Sequence, residues 1–180
     1  MVKIVLTGPE SVGKSTLARQ LAGLFDGAFA PEFAREYVSK LNRHYTIEDV
    51  ECIAQRQIDE YNEAIASPRG KHPIVFFDTF LVITKIWFEV VYNQCPIWLD
   101  NAIRNCKIDL YLLCYPDLPW IADGVRENGD LRLELFERYM AQLEFYGFRY
   151  EIVRGIGSSR LNLAVKKVNN YIDECTEIPH

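Results

Sequence analysis

Two glycines, a lysine and a hydroxyl stand near the amino terminus in the run Gly8-Pro9-Glu10-Ser11-Val12-Gly13-Lys14-Ser15. This spacing fits G-x-x-x-x-G-K-[ST], and the run lies between a predicted strand and a predicted helix. Gly8 and Gly13 permit backbone angles that turn successive amides inward onto phosphate oxygens, and a helix opening at Lys14 adds its positive end. Lys14 then reaches the β- and γ-phosphates, and the Ser15 hydroxyl is a ligand for Mg²⁺. Together with Glu10, Ser11, Val12 and Thr16, these residues read as a site for ATP and Mg²⁺.

Further groups fall where strands end. Asp78 closes the third apolar run and fits a carboxylate beside the metal, although an Asp there also fits a helix N-cap. Glu32, Arg35 and Glu36 follow the second run within one helical turn. Taken alone they are a solvated run of salt bridges, but ligands of open α/β sheets bind beyond the carboxyl ends of strands. The stretch 116–132 carries Asp117, Asp123, Arg126, Glu127, Asp130 and Arg132 around Trp120, with Gly124 and Gly129 as hinges. This is the composition of a lid, with Arg126 ahead of Arg132 as the arginine delivered to a transferring phosphoryl group; an exposed loop of paired charges fits equally. Trp120 and Trp87 read more readily as core than as stacking surfaces. His44, His72 and His180 have no metal-ligand spacing and receive no role.

These groups need elements to hold them. Apolar runs bounded by turn residues alternate with amphipathic stretches, which predicts a three-layer α/β fold with five parallel strands. The strands are expected at residues 2–7, 28–30, 73–78, 109–114 and 150–153. Helices are expected at 14–25, with Leu17, Leu21 and Leu24 on one face, at 32–41, and from a capping box at Thr46 and Asp49 to a stop at Ser67-Pro68-Arg69-Gly70. Others follow at 80–92, with Ile86, Trp87, Val90 and Val91 inward, at 131–145, and from about 160 to 175. The 180 residues, 49% apolar, read as one domain. With 20 Lys and Arg against 25 Asp and Glu, the net charge of −5 excludes a nucleic-acid footprint. No apolar run approaches the length of a membrane span or a signal core, so a cytoplasmic protein is expected. Its five scattered cysteines read as reduced core thiols.

The phosphate loop, Glu32-Phe33-Ala34-Arg35-Glu36-Tyr37, Arg56-Gln57, Phe77-Asp78-Thr79 and Trp120-Ile121-Ala122-Asp123-Gly124-Val125-Arg126 occur in an order that resembles the ribosylnicotinamide kinase domain of the NadR proteins. The resemblance extends from residue 3 to about residue 172. It implies a P-loop kinase with a mobile lid that uses ATP and Mg²⁺ to phosphorylate the ribose 5′-hydroxyl of nicotinamide riboside, giving nicotinamide mononucleotide. It further implies that Lys14 and Ser15 hold phosphate and Mg²⁺, that Asp78 sits at the metal or the attacking hydroxyl, and that Arg126 is the lid arginine. Glu32, Arg35, Trp120 and Asp123 would contact the acceptor. Either Glu32 or Asp78 could take the hydroxyl proton, with Asp78 favoured for metal and Glu32 for substrate. Two departures stand out: Phe80 replaces a second acid that the family often carries two residues after the strand-ending Asp, and no adenylyltransferase or helix-turn-helix domain fits within these residues. Another nucleoside-like or heterocyclic alcohol is the alternative acceptor. A nucleotide-dependent switch or slow NTPase is the alternative to a kinase.

Overall fold

Side chains alternate across the strands, and this alternation builds the molecule in layers. The computed structural model describes residues 1–66, 73–120 and 129–177. Among these, β1 (Val2–Thr7), β2 (Ala28–Ala30), β3 (Ile74–Asp78), β4 (Leu110–Cys114) and β5 (Tyr150–Val153) form one parallel sheet in the order β2-β3-β1-β4-β5. The helices are α1 (Lys14–Leu24), α2 (Phe33–Ser39), α3 (Ile47–Ala66), α4 (Leu81–Tyr92), α5 (Ile97–Asn105), α6 (Arg132–Phe145) and α7 (Gly157–Glu177). Ile4, Leu6, Phe76, Leu110 and Leu112 meet Leu17 and Leu21 of α1 and Ala164 and Val168 of α7. Val5, Val75, Phe77, Tyr111 and Leu113 meet α3 to α6 on the opposite face. Both faces of β1, β3 and β4 are therefore covered, which is why these strands read as unbroken apolar runs.

The expected three-layer sheet is present, with particular differences. Helix α5 escaped the periodicity because only Leu99 and Ile103 are buried, while Ile97 and Trp98 leave apolar residues on its outer side. Leu24 is exposed because α1 ends there and Phe25 instead covers Phe76, their ring centroids 5.9 Å apart. Val90 and Val91 are likewise exposed. All five cysteines are free, but only Cys106 and Cys114 are buried; Cys52 and Cys175 are exposed, so they are not core thiols. No helix among the described residues is long and apolar enough to cross a membrane.

The residue before α4 bears directly on the site. Asp78 does not cap this helix; Phe80 occupies the N-cap position in extended backbone. Its ring is buried, with centroids 5.6 Å from both Tyr61 and Phe77. The side chain at position 80 thus belongs to the core between α3 and the sheet. A carboxylate there would replace an aromatic packing contact with an unsolvated charge. Phe80→Asp is accordingly expected to lower stability by roughly 3 kcal/mol or more. Urea unfolding of the two proteins measures that loss; an unchanged midpoint would show that position 80 is open to solvent.

Candidate active site

The chain leaves β1 at the centre of the sheet and turns back over its own end. Gly8 takes φ 129°, and a Cβ there would lie 2.7 Å from the Cys114 carbonyl oxygen of β4, so no side chain fits. Gly13, at φ 75°, is the N-cap of α1, whose first turn has no acidic residue and no side-chain cap. The first amides of α1 thus remain available to an anion. Lys14 folds back along the loop, its Nζ donating to the Gly8 and Pro9 carbonyls at 2.9 and 2.7 Å.

A buried arginine that the sequence did not single out braces this loop from behind. Arg160, near the start of α7, donates from Nη2 to the Val12 and Tyr115 carbonyls at 2.8 and 3.1 Å. From Nη1 it donates to the Gly155 carbonyl at 2.9 Å and to Asp117 Oδ1 at 2.5 Å. Asp117 Oδ2 in turn accepts the Gly155 amide. One guanidinium thereby ties the phosphate loop to the segments following β4 and β5, a use of its planar fork that lysine lacks. An arginine on an amphipathic helix ordinarily faces solvent, and no local signal marks this one. Arg132 donates to the Leu118 carbonyl at 2.7 Å.

Asp78 stands beside the loop because β3 pairs with β1 in the register Leu6↔Asp78, and the Thr79 amide donates to the Leu6 carbonyl at 3.0 Å. Thr79 holds φ 69°, an outlying conformation for a β-branched residue. Asp78 is only 3% exposed, and its Oδ1 has no hydrogen-bond partner; the Ser15 hydroxyl lies near enough to act on its carboxyl. Burial pushes its carboxyl above the ordinary value, against the opposing pull of Ser15, Lys14, Arg19 and Arg35. A hydroxyl beside a buried carboxylate with an unused oxygen is a hard-oxygen pair of the kind Mg²⁺ takes. The residues present therefore fit that ion.

In front of the loop opens a cleft of about 660 Å³. Glu10, Lys14, Ser15 and Thr16 line its floor, and Glu32 with Arg35 and Val38 of α2 forms one wall. The segment from Leu41 to Tyr45, Trp87, Val90 and Val91 of α4, and Tyr139 of α6 enclose the rest. The exposed valines of α4 are thus cleft surface. Glu32 and Arg35 come together with Lys14, whereas Glu36 pairs with Lys40 at the surface. Trp120 does not line the cleft, and Asp123 and Arg126 lie outside the described residues. Sequence reasoning missed Tyr45 and Tyr139; Trp87 packs against the core as expected and also lines the cleft. Tyr45 and Trp87 meet edge to face at 4.8 Å, and the buried Tyr139 phenol, its ionisation pushed up by burial, faces Glu32 and Glu10. A second cavity of about 200 Å³ lies behind the loop, between Thr16 and Leu17 of α1, Leu118, and Arg160 and Leu161 of α7.

A family model described as AAA domain matches residues 3–160. The trifunctional NAD biosynthesis/regulator protein NadR of Salmonella typhimurium (strain LT2) is 27% identical over 132 residues, covering 70% of this chain and 31% of that protein. A crystal structure of NadR protein in complex with NR superposes with a TM-score of 0.84 at 28% identity, covering 94% of this chain and 51% of the other. A second, with NAD and AMP-PNP, reaches a TM-score of 0.78 at 24% identity, covering 94% and 49%. The chain thus spans about a third of the curated relative and about half of these solved proteins.

Removal of the Arg160 guanidinium would leave three carbonyls and the Asp117 carboxylate without its donors. Arg160→Met is expected to cost roughly 3 kcal/mol of stability and to weaken nucleoside triphosphate binding about tenfold or more. Arg160→Lys should recover only part of either loss, as measured by urea unfolding and calorimetric titration.

Proposed function

The chain belongs to the AAA domain family, and on that premise we propose that it is a kinase transferring the γ-phosphoryl group of ATP to the ribose 5′-hydroxyl of nicotinamide riboside. The observation that carries this reading is the 660 Å³ cleft, where the phosphate loop, Glu32 and Arg35 face the aromatic surface of Tyr45 and Trp87. Its size and mixed lining suit a nucleoside: apolar rings for a flat heterocycle, polar groups for the sugar. The fold shared with a NadR protein bound to NR supports nicotinamide riboside over other heterocyclic alcohols. A nucleotide switch would have no use for a second, acceptor-sized cavity.

In-line transfer requires donor and acceptor on opposite sides of the moving phosphorus. The phosphate loop lies between the two cavities, so the base of ATP takes the smaller one and the acceptor the larger. Ser15 and Asp78 would hold Mg²⁺, which would supply positive charge against the transferring phosphates. Lys14 leaves its loop carbonyls for the phosphates and adds fixed positive charge where the transition state needs it. Asp78 lies at the metal position beside Ser15, and Glu32, on the cleft wall, would accept the proton of the attacking hydroxyl. Arg35, close enough to Asp78 to perturb it, holds the acceptor side of the cleft positive.

ADP release with ATP, Mg²⁺ and a panel of nucleosides tests the proposal. Nicotinamide riboside is expected to stimulate release and to gain one phosphate by mass spectrometry, and chelation of Mg²⁺ should abolish both. Lys14→Ala is expected to lower kcat/KM by about a hundredfold or more. Stimulation by a different nucleoside alone would replace the acceptor, and release that no acceptor stimulates would sink the kinase reading.

A further inference from the structure

Helix α2 presents Arg35, Val38 and Ser39 to the cleft, with Glu32 at its N-cap, yet none of its own residues is buried. Apolar packing of the kind that fixes α1 and α3 does not hold it. Tyr37 of α2, and Arg43 and Thr46 of the segment after it, bond to one carboxylate. Asp49, 4% exposed, sits in the first turn of α3, whose Val50, Ile53 and Ala54 are fully buried. Its Oδ1 accepts the Tyr37 hydroxyl of α2 at 2.9 Å and Arg43 Nη2 at 3.0 Å. Its Oδ2 accepts Arg43 Nη1 at 2.5 Å, the Thr46 amide at 2.6 Å and the Thr46 hydroxyl at 3.2 Å. Arg43, then the Thr46 amide, hold this carboxyl well below the usual carboxylate range, so it stays ionised throughout the neutral range.

We propose that Asp49 is the positioning residue of the acceptor wall, anchoring α2 and the segment 40–46 to the core so that Glu32 and Arg35 face the phosphate loop. The acceptor-specific part of this proposal rests on the kinase reading above. Asp49 touches neither substrate; it acts through Tyr37, Arg43 and Thr46. Because the donor side is fixed separately by Gly8, Gly13 and Arg160, loosening this wall affects one substrate and not the other.

Asp49→Asn removes the charge facing Arg43 and half of the accepting capacity, and Tyr37→Phe removes a single hydroxyl while sparing the helix cap. In amide hydrogen exchange of the whole protein without ligands, residues 33–45 are expected to exchange about tenfold faster in Asp49→Asn and about threefold faster in Tyr37→Phe. Amides of α1 and of residues 54–66 should keep wild-type rates. In steady-state kinetics the acceptor KM should rise by similar factors, with the ATP KM within about twofold of wild type. Wild-type exchange at 33–45 in both variants overturns the proposal, and so does an equal rise in both KM values. If Asp49→Asn exchanges rapidly throughout, its fold is lost and Tyr37→Phe decides by the same criteria. A wild-type protein that phosphorylates no acceptor defeats the preceding reading alone, and the exchange rates at 33–45 still decide whether Asp49 holds this wall.

Discussion

The phosphate loop has to pass within contact of the Cys114 carbonyl, and much of the site depends on that close approach. It is possible because residue 8 has no Cβ and can adopt φ 129°. The turn made there places Val12 in the core and brings the amino end of α1 over the carboxyl end of β1. The same crossing brings Val12, Tyr115 and Gly155 near enough for the single Arg160 guanidinium to bond all three carbonyls. A loop that must hold several phosphate oxygens without rearranging benefits from such bracing, because donors fixed beforehand need not reorganise as charge shifts.

The two sides of the cleft are held by different physics. On the donor side, α1 and α7 pack against one face of the sheet through fully buried aliphatic side chains. On the other side, α2 has no buried residue, and its Tyr37 hydroxyl bonds to the Asp49 carboxylate. Apolar packing tolerates little displacement, whereas elements with few buried contacts open at lower free energy. The frame of α1 and α7 is thus fixed by apolar packing, while α2 is an element that opens at lower free energy.

Phe80 shows how a motif comparison and a structure can weigh the same residue differently. By sequence, an aromatic replaces an acid close to the expected metal position and brings the acceptor into question. In the fold the helix begins one residue later, its N-cap lies in extended backbone, and the side chain turns into the Tyr61 and Phe77 cluster. The residue contributes packing to the layer beneath the cleft, while Asp78 beside it keeps its carboxylate next to Ser15.

What the sequence determined by itself is local. The phosphate loop, the five strands and the strand-ending Asp78 follow from residue type, spacing and period, since backbone freedom, amphipathicity and turn chemistry act over a few neighbours. The half of the Thr46 and Asp49 capping box in which the carboxylate accepts the Thr46 amide was legible for the same reason. Only the tertiary structure decided which charged residues are buried and which aromatics are surface. Arg160 reads as an ordinary solvated arginine until β4 and β5 bring carbonyls around it. Trp87 and Tyr45, 42 residues apart, form one edge of the cleft only after α3 and α4 have packed. Asp49 shows a cap in the sequence, but its bond to Tyr37, twelve residues earlier, requires the chain to double back between α2 and α3. Burial and long-range polar pairing depend on how distant segments pack, and the residues of one segment do not encode that alone.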